Sequence, residues 1–115
     1  MLENKTRKTI MARHVIDCRS VWEKSIGLMF SSRKKIASKA LIFYFDMPQR
    51  ISIHMFFVFY PIDVIWLDEN KQVVESKTLF PFTAYYPKCK SAYVLECDKE
   101  IIKKTGTQKG DLIEW

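Results

Sequence analysis

From residue 40 onward the chain is a succession of apolar runs too short to be helices, each closed by turn chemistry, and that rhythm restricts it to a β architecture. The runs fall at residues 40–45, 53–59, 64–67, 72–78, 91–97 and 112–115. Asp46-Met47-Pro48-Gln49 supplies a turn after the first run, and Tyr60-Pro61 interrupts the second, because proline cannot donate to a strand ladder. Asp68-Glu69-Asn70-Lys71 reads as a hairpin-like turn and Gly110-Asp111 as the last turn. A strand over residues 9–16 precedes them, and six or seven short strands are expected in all. Strands this short and apolar need a shared interior. The predicted fold is therefore mainly β: a compact barrel or jelly-roll-like sandwich with one or two short helices.

The period changes in two places. Val21, Trp22, Ser25, Ile26 and Met29 fall at helical spacing, with Ser20 as the cap, Glu23 three residues on as its capping-box partner and Gly27 past the end. This helix over residues 20–26 is expected to plug or cover one opening of the β core. A second short helix follows Asp98 as N-cap, with Glu100 in its first turn, and ends at Gly106. Trp22, Ile26, Leu28, Phe30, Leu41, Phe43, Ile65, Val94 and Leu95 are the expected core. Residues 1–8 show no apolar periodicity and read as a frayed lead-in to a single domain spanning residues 1–115.

A chain of 115 residues suffices for one core, and 48% hydrophobic with 28% charged residues excludes a disordered polymer. The net charge of +6 is lopsided: residues 1–50 hold eleven Lys and Arg against four Asp and Glu, residues 51–115 eight against nine. A basic front half attracts phosphates or acidic partners, and Arg33, Lys34 and Lys35 are the candidate contacts to nucleic acid. Cys18, Cys89 and Cys97 are odd in number and lack CxxC spacing, which fits reduced thiols in a cytoplasmic protein. With only His14 and His54 to add, no closed metal site is expected, and no organic cofactor motif is present. The apolar stretch 53–67 contains His54, Pro61 and Asp63 and falls short of the roughly 20 residues a spanning helix needs, so no membrane span is expected.

Gly27-Leu28-Met29-Phe30, Met55, Pro61-Ile62-Asp63-Val64-Ile65, Tyr93-Val94-Leu95-Glu96 and Gly110-Asp111, in this order and spacing, resemble the domain of unknown function 192 family over residues 22–114. The family pattern aromatic-Met-Lys-Asn-Thr-x-x-Pro-Leu-Asp carries over at Met55, Pro61 and Asp63. Phe56, Phe57 and Val58 stand where that pattern has Lys-Asn-Thr, His54 where it commonly has Trp, and Ser31 where an arginine often follows the Gly-Leu-Met-Phe block. The resemblance implies a mainly-β fold and brings no biochemical activity with it.

Four residues are candidates for binding a ligand. Asp63 lies among Ile62, Val64 and Ile65, where a carboxylate must be hydrogen-bonded, paired or at a pocket mouth; backbone N–H groups beside Pro61 are the expected structural donors. His54 lies on an apolar strand, where an imidazole can act as proton donor or acceptor to a ligand. Glu96, between Leu95 and Cys97, forms with Asp63 the one carboxylate pair that a hydrolase could use, provided the two flank a single bond. Tyr86 belongs to a proline-punctuated loop with Phe80, Phe82 and Tyr85, which acts either as a lid or as a recognition surface. No complete catalytic motif is present. The function read from the sequence is a small binding or accessory module using an aromatic-lined pocket or loop surface for a small molecule or protein, with nucleic-acid binding as the alternative and a carboxylate-pair hydrolase third.

Overall fold

The computed structural model describes residues 1–19, 28–29 and 31–115. The helix expected over residues 20–26, with Trp22, Ile26 and Phe30 of the expected core, lies outside the described residues. A five-stranded sheet organises the rest, in the order β3 (His14–Cys18), β4 (Lys39–Gln49), β9 (Ser91–Asp98), β6 (Ile62–Leu67), β7 (Val73–Leu79). Among the described residues of this sheet, only the β3–β4 pairing is parallel. A second sheet of three strands runs β10 (Ile113–Glu114), β1 (Leu2–Asn4), β2 (Thr9–Ala12), and a third pairs β5 (Ile53–His54) with β8 (Ala84–Tyr85). The described residues contain one short α-helix, α1 (Ile101–Thr105), and a 3-10 turn at Arg33–Lys35.

The fold is mainly β and sandwich-like rather than a barrel. Closure would require the edge strands β3 and β7 to pair, and they stay apart at opposite ends of the sheet. The open sheet is covered on both faces instead. Leu41, Phe43, Val64, Trp66 and Val94 point into one core with Leu28, Ile36, Met55, Val58 and Tyr60. Ala40, Ile42, Ile65, Leu67, Leu95 and Cys97 point into the other, against Leu2, Met11, Ala12 and Ile113 of the three-stranded sheet. Burial on both faces is why residues 40–45 and 62–67 read as continuous apolar runs instead of alternating ones. Every described member of the expected core is buried.

Several boundaries differ from expectation for identifiable reasons. Residues 1–8 are no frayed lead-in: β1 pairs with both β2 and β10, Leu2 is fully buried, and Asn4 Nδ2 donates to Thr107 Oγ1 at 3.0 Å and Asp111 Oδ2 at 2.9 Å. The partners sit at the far end of the chain, where no local pattern points to them. Asp46-Met47-Pro48-Gln49 continues β4 as an irregular extension in which the register shifts between Tyr44 and Gln49, so Pro48 takes a place where no ladder bond is needed. The run 53–59 is a strand only at its first two residues. After His54 the chain turns tightly, with the Val58 N–H donating to the Met55 carbonyl at 3.3 Å and Phe57 in the left-handed region at φ 59°.

Asp63 ties the two layers together. Its Oδ1 accepts from the Thr78 hydroxyl at 2.7 Å on the neighbouring strand, and its Oδ2 from the Ile102 N–H at 2.8 Å in the first turn of α1. The donors are these two groups, not loop amides beside Pro61. The expected cap, Asp98, is engaged elsewhere: α1 starts after Glu100, which is left-handed at φ 67°, and an orphan N–H of its first turn is satisfied by Asp63 from the sheet beneath. Asp63→Ala strands both donors and is expected to cost about 1–3 kcal/mol in chemical denaturation, whereas Asp63→Asn, which keeps an acceptor oxygen, should lose less than half as much. Equal losses in the two variants would contradict a hydrogen-bonding role.

Candidate functional site

The four ligand-binding candidates do not meet. Asp63 stands opposite Cys97 and Thr78, and Glu96 opposite Val64 and Leu41, so their side chains leave opposite faces of one sheet. The backbone layer between them keeps the two carboxyls from flanking one bond. His54 is exposed on β5, where Nδ1 accepts from the Phe56 N–H at 3.3 Å and the ring stacks on Phe56 at 5.3 Å. Tyr86 is 77% exposed. A groove of about 330 Å³ runs beside β2 and α1, lined by Ile10, Arg13, Lys39, Asp98, Ile101 and Lys104 among others, and none of the four candidates lines it.

Glu96 is the buried group with chemistry to spare. It is 6% exposed, and among the described residues no donor lies within hydrogen-bond reach of its carboxyl. Burial pushes it up to about 7, against a smaller opposing pull from Lys35. Tyr60 belongs to the same core. Its hydroxyl lies 2.7 Å from Ser31 Oγ, whose own proton goes to the Leu28 carbonyl, so Tyr60 donates. Burial, with the charges of Glu96 and Asp98, holds the Tyr60 phenol above its ordinary value. Arg33 is spent in a two-pronged contact with Asp98 at 3.1 and 3.2 Å, which leaves Lys34 as the most open of the three basic candidates. Ile62 pairs with both Asp98 and Leu79, so this basic turn and the start of the aromatic loop occupy the same end of the sheet.

At that end the sequence places its aromatics outside. Phe56, Phe57, Phe59, Phe80 and Phe82 are each 45–60% exposed, a density that an ordinary surface does not carry. Phe82 is their hub, edge-on to Phe57 at 6.2 Å and to Phe59 at 5.4 Å. The sequence points to Phe80, Phe82 and Tyr86 through their prolines but reads Phe56, Phe57 and Phe59 as part of a strand over residues 53–59. The signal that finds them is the irregular spacing of the buried Met55, Val58 and Tyr60, which fits neither period.

The loops are fastened from below. The Met55 N–H donates to the Thr83 carbonyl at 2.6 Å and the Phe82 N–H to the Met55 carbonyl at 2.8 Å. The fully buried Trp66 donates through Nε1 to the Ile51 carbonyl at 2.9 Å and packs on Tyr85 at 5.4 Å. Glu75 accepts from the Tyr85 hydroxyl and from the Lys88 and Cys89 N–H groups; burial alone would raise its carboxyl, but these contacts win and hold it below the usual range. The exposed rings thus ride on a fixed base.

Such an arrangement, a two-core β sandwich with a fastened and exposed aromatic face, defines a small sandwich-like domain. The chain belongs to the domain of unknown function 192 family, whose model, described as Uncharacterized ACR, matches residues 3–115. It is 37% identical to a UPF0127 protein of Thermococcus gammatolerans over 100% of this chain and 74% of that one. A UPF0127 protein of Pyrococcus horikoshii is 33% identical over 100% of this chain and 98% of its own length. Among solved structures, a protein of unknown function from Novosphingobium aromaticivorans superposes with a TM-score of 0.76 at 22% identity, covering 88% of this chain and 74% of that one. A candidate transcription regulator from Sinorhizobium meliloti superposes at 0.80 and 20% identity, covering 87% and 79%. At these identities the structures share the fold alone.

Glu96 yields a prediction with a definite sign. Its ordinary value is 4.5 and in the fold it titrates at about 7. Between those values the native state keeps a proton that the unfolded chain releases, so stability is full below the lower value and erodes as pH rises through the upper one, by roughly 3 kcal/mol. Glu96→Gln removes this titration. The stability difference between the variant and the parent should therefore shift in favour of the variant by about that amount between pH 4.5 and pH 8, and a difference independent of pH contradicts the burial argument.

Proposed function

We propose that this chain is a cytoplasmic binding module whose contact surface is the aromatic loop face built by Phe56, Phe57, Phe59, Phe80, Phe82 and Tyr86. The observation that carries the reading is where the chain accepts strain. Phe57 and Phe82 both hold left-handed backbone, at φ 59° and 61°, a conformation that is a genuine outlier for a bulky side chain, and both side chains are half exposed. Each such residue costs on the order of 1 kcal/mol or more, and neither ring regains that by deep burial. Residues held in a costly conformation at the surface are positioned for contact. Cys89 and Cys97, which form no disulfide, support a reducing compartment.

Glycine adopts these angles without penalty, so Phe57→Gly and Phe82→Gly should stay within about 1 kcal/mol of the parent or exceed it in chemical denaturation. A photo-reactive phenylalanine analogue at position 82, in the cells that produce the protein, should give a covalent adduct that the same analogue at exposed Lys109 does not. Marked destabilisation by both glycine variants together with no adduct at position 82 would return the aromatic face to a structural role.

A further inference from the structure

We infer that the occupant of the aromatic face is an anionic lipid surface, into whose headgroup boundary Phe57, Phe59 and Phe82 insert; this rests on the reading of that face as a contact surface. Charge complementarity carries the choice. The two segments that build the face, residues 47–62 and 76–95, contain none of the 13 acidic residues of the chain, yet carry Arg50, Lys77, Lys88 and Lys90. Glu75, at the border of the second segment, is consumed by Tyr85 and the 88–89 backbone and faces no partner outside. Lys77 Nζ sits 4.5 Å from the centre of the Tyr85 ring, which places a cation at the rim of the patch. Exposed apolar rings on two segments whose charged side chains are all cations are a composition that binds at a charged membrane interface, where each ring buries area and each cation close to the surface adds a further few-fold in affinity.

The backbone points the same way. Loop tips entering an apolar boundary must satisfy their own polar groups, since no water will do so there. In these loops the Met55, Phe56, Val58 and Phe82 N–H groups already have acceptors within the patch, and the Thr83 hydroxyl donates to the Phe80 carbonyl at 2.6 Å. Two other occupants fit less well. Single-stranded nucleic acid needs open ring faces for stacking. Here Phe57 and Phe59 meet Phe82 edge-on at 71°, and His54 covers one face of Phe56. A second copy of the chain would set one acid-free basic rim against another, which is repulsive.

Sedimentation with vesicles tests the proposal. The parent should partition onto phosphatidylcholine vesicles containing phosphatidylserine, stay free of pure phosphatidylcholine, and be released by raising salt. Phe59→Ser with Phe82→Ser should lower partitioning about tenfold or more, and Lys77→Glu several-fold, with folding of both variants checked by denaturation. Absence of binding to either vesicle overturns the lipid assignment, and an adduct with protein at position 82 would then leave the contact surface standing without it. Binding to a single-stranded oligonucleotide that the Phe59→Ser, Phe82→Ser variant abolishes, or a dimer in solution that the same variant dissociates, likewise overturns it in favour of that partner.

Discussion

Everything in this molecule follows from three adjacent strands, β4, β9 and β6, being apolar on both faces. A sheet of that kind cannot present either side to water, so the remainder of the chain is committed to making two covers. The sequence ends supply one, through β1, β2, β10 and α1 packed over Ala40, Ile42, Ile65 and Leu95. The loops supply the other, through Leu28, Ile36, Ile51, Met55, Val58 and Tyr60 over Leu41, Val64, Trp66 and Val94. The polar groups admitted to these central strands show how strict the requirement is. Asp63 has both oxygens occupied and joins sheet to helix. Glu96, without a donor among the described residues, is pushed up to about 7 and responds to its environment in the neutral range. Two carboxyls on neighbouring strands, one layer of backbone apart, thus have opposite characters because of what covers them.

The cover supplied by the ends has its own polar fastening. Asp111 accepts from Asn4, Arg7 and the Gln108 N–H, and although burial would raise its carboxyl, these contacts hold it below the ordinary range. The Thr105 and Thr107 hydroxyls, 2.6 Å apart, extend this network to α1. Through it one set of hydrogen bonds positions β1, β10 and the helix together. The other cover is fastened by aromatic and backbone contacts, and it is the one that carries exposed rings outward.

How much of this is legible in the sequence depends on the range of the interaction responsible. The continuous apolar runs at 40–45 and 64–67 announce strands buried on both faces, and the Asp68 to Lys71 turn announces its hairpin, because each is a local pattern. Closure is not local: whether an open sheet with two covers or a barrel forms depends on which edges meet. Leu2 and Asn4 carry no periodic signal, and their importance comes from residues more than a hundred positions away. At the candidate site, Glu96 and the aromatic loop could be named from the sequence, but the facing of side chains could not. Adjacent strands in a given register decide that Asp63 and Glu96 diverge, and one left-handed residue, Phe57, decides that an apolar run which reads as a strand turns its rings to the outside.

The pairing of the first strand with the last has a consequence for how the molecule comes into being. Glu3 aligns with Glu114 and Asn4 with Ile113, so β1 lacks its outer neighbour until residues 113–114 have been made. A hairpin of β1 and β2 alone is marginal in water. Leu2 and Met11 are therefore covered only once β10, from far along the sequence, has joined β1. Sealing of this half of the protein thus rests on the strand pairing of longest sequence separation among the described residues, and not on the central sheet alone.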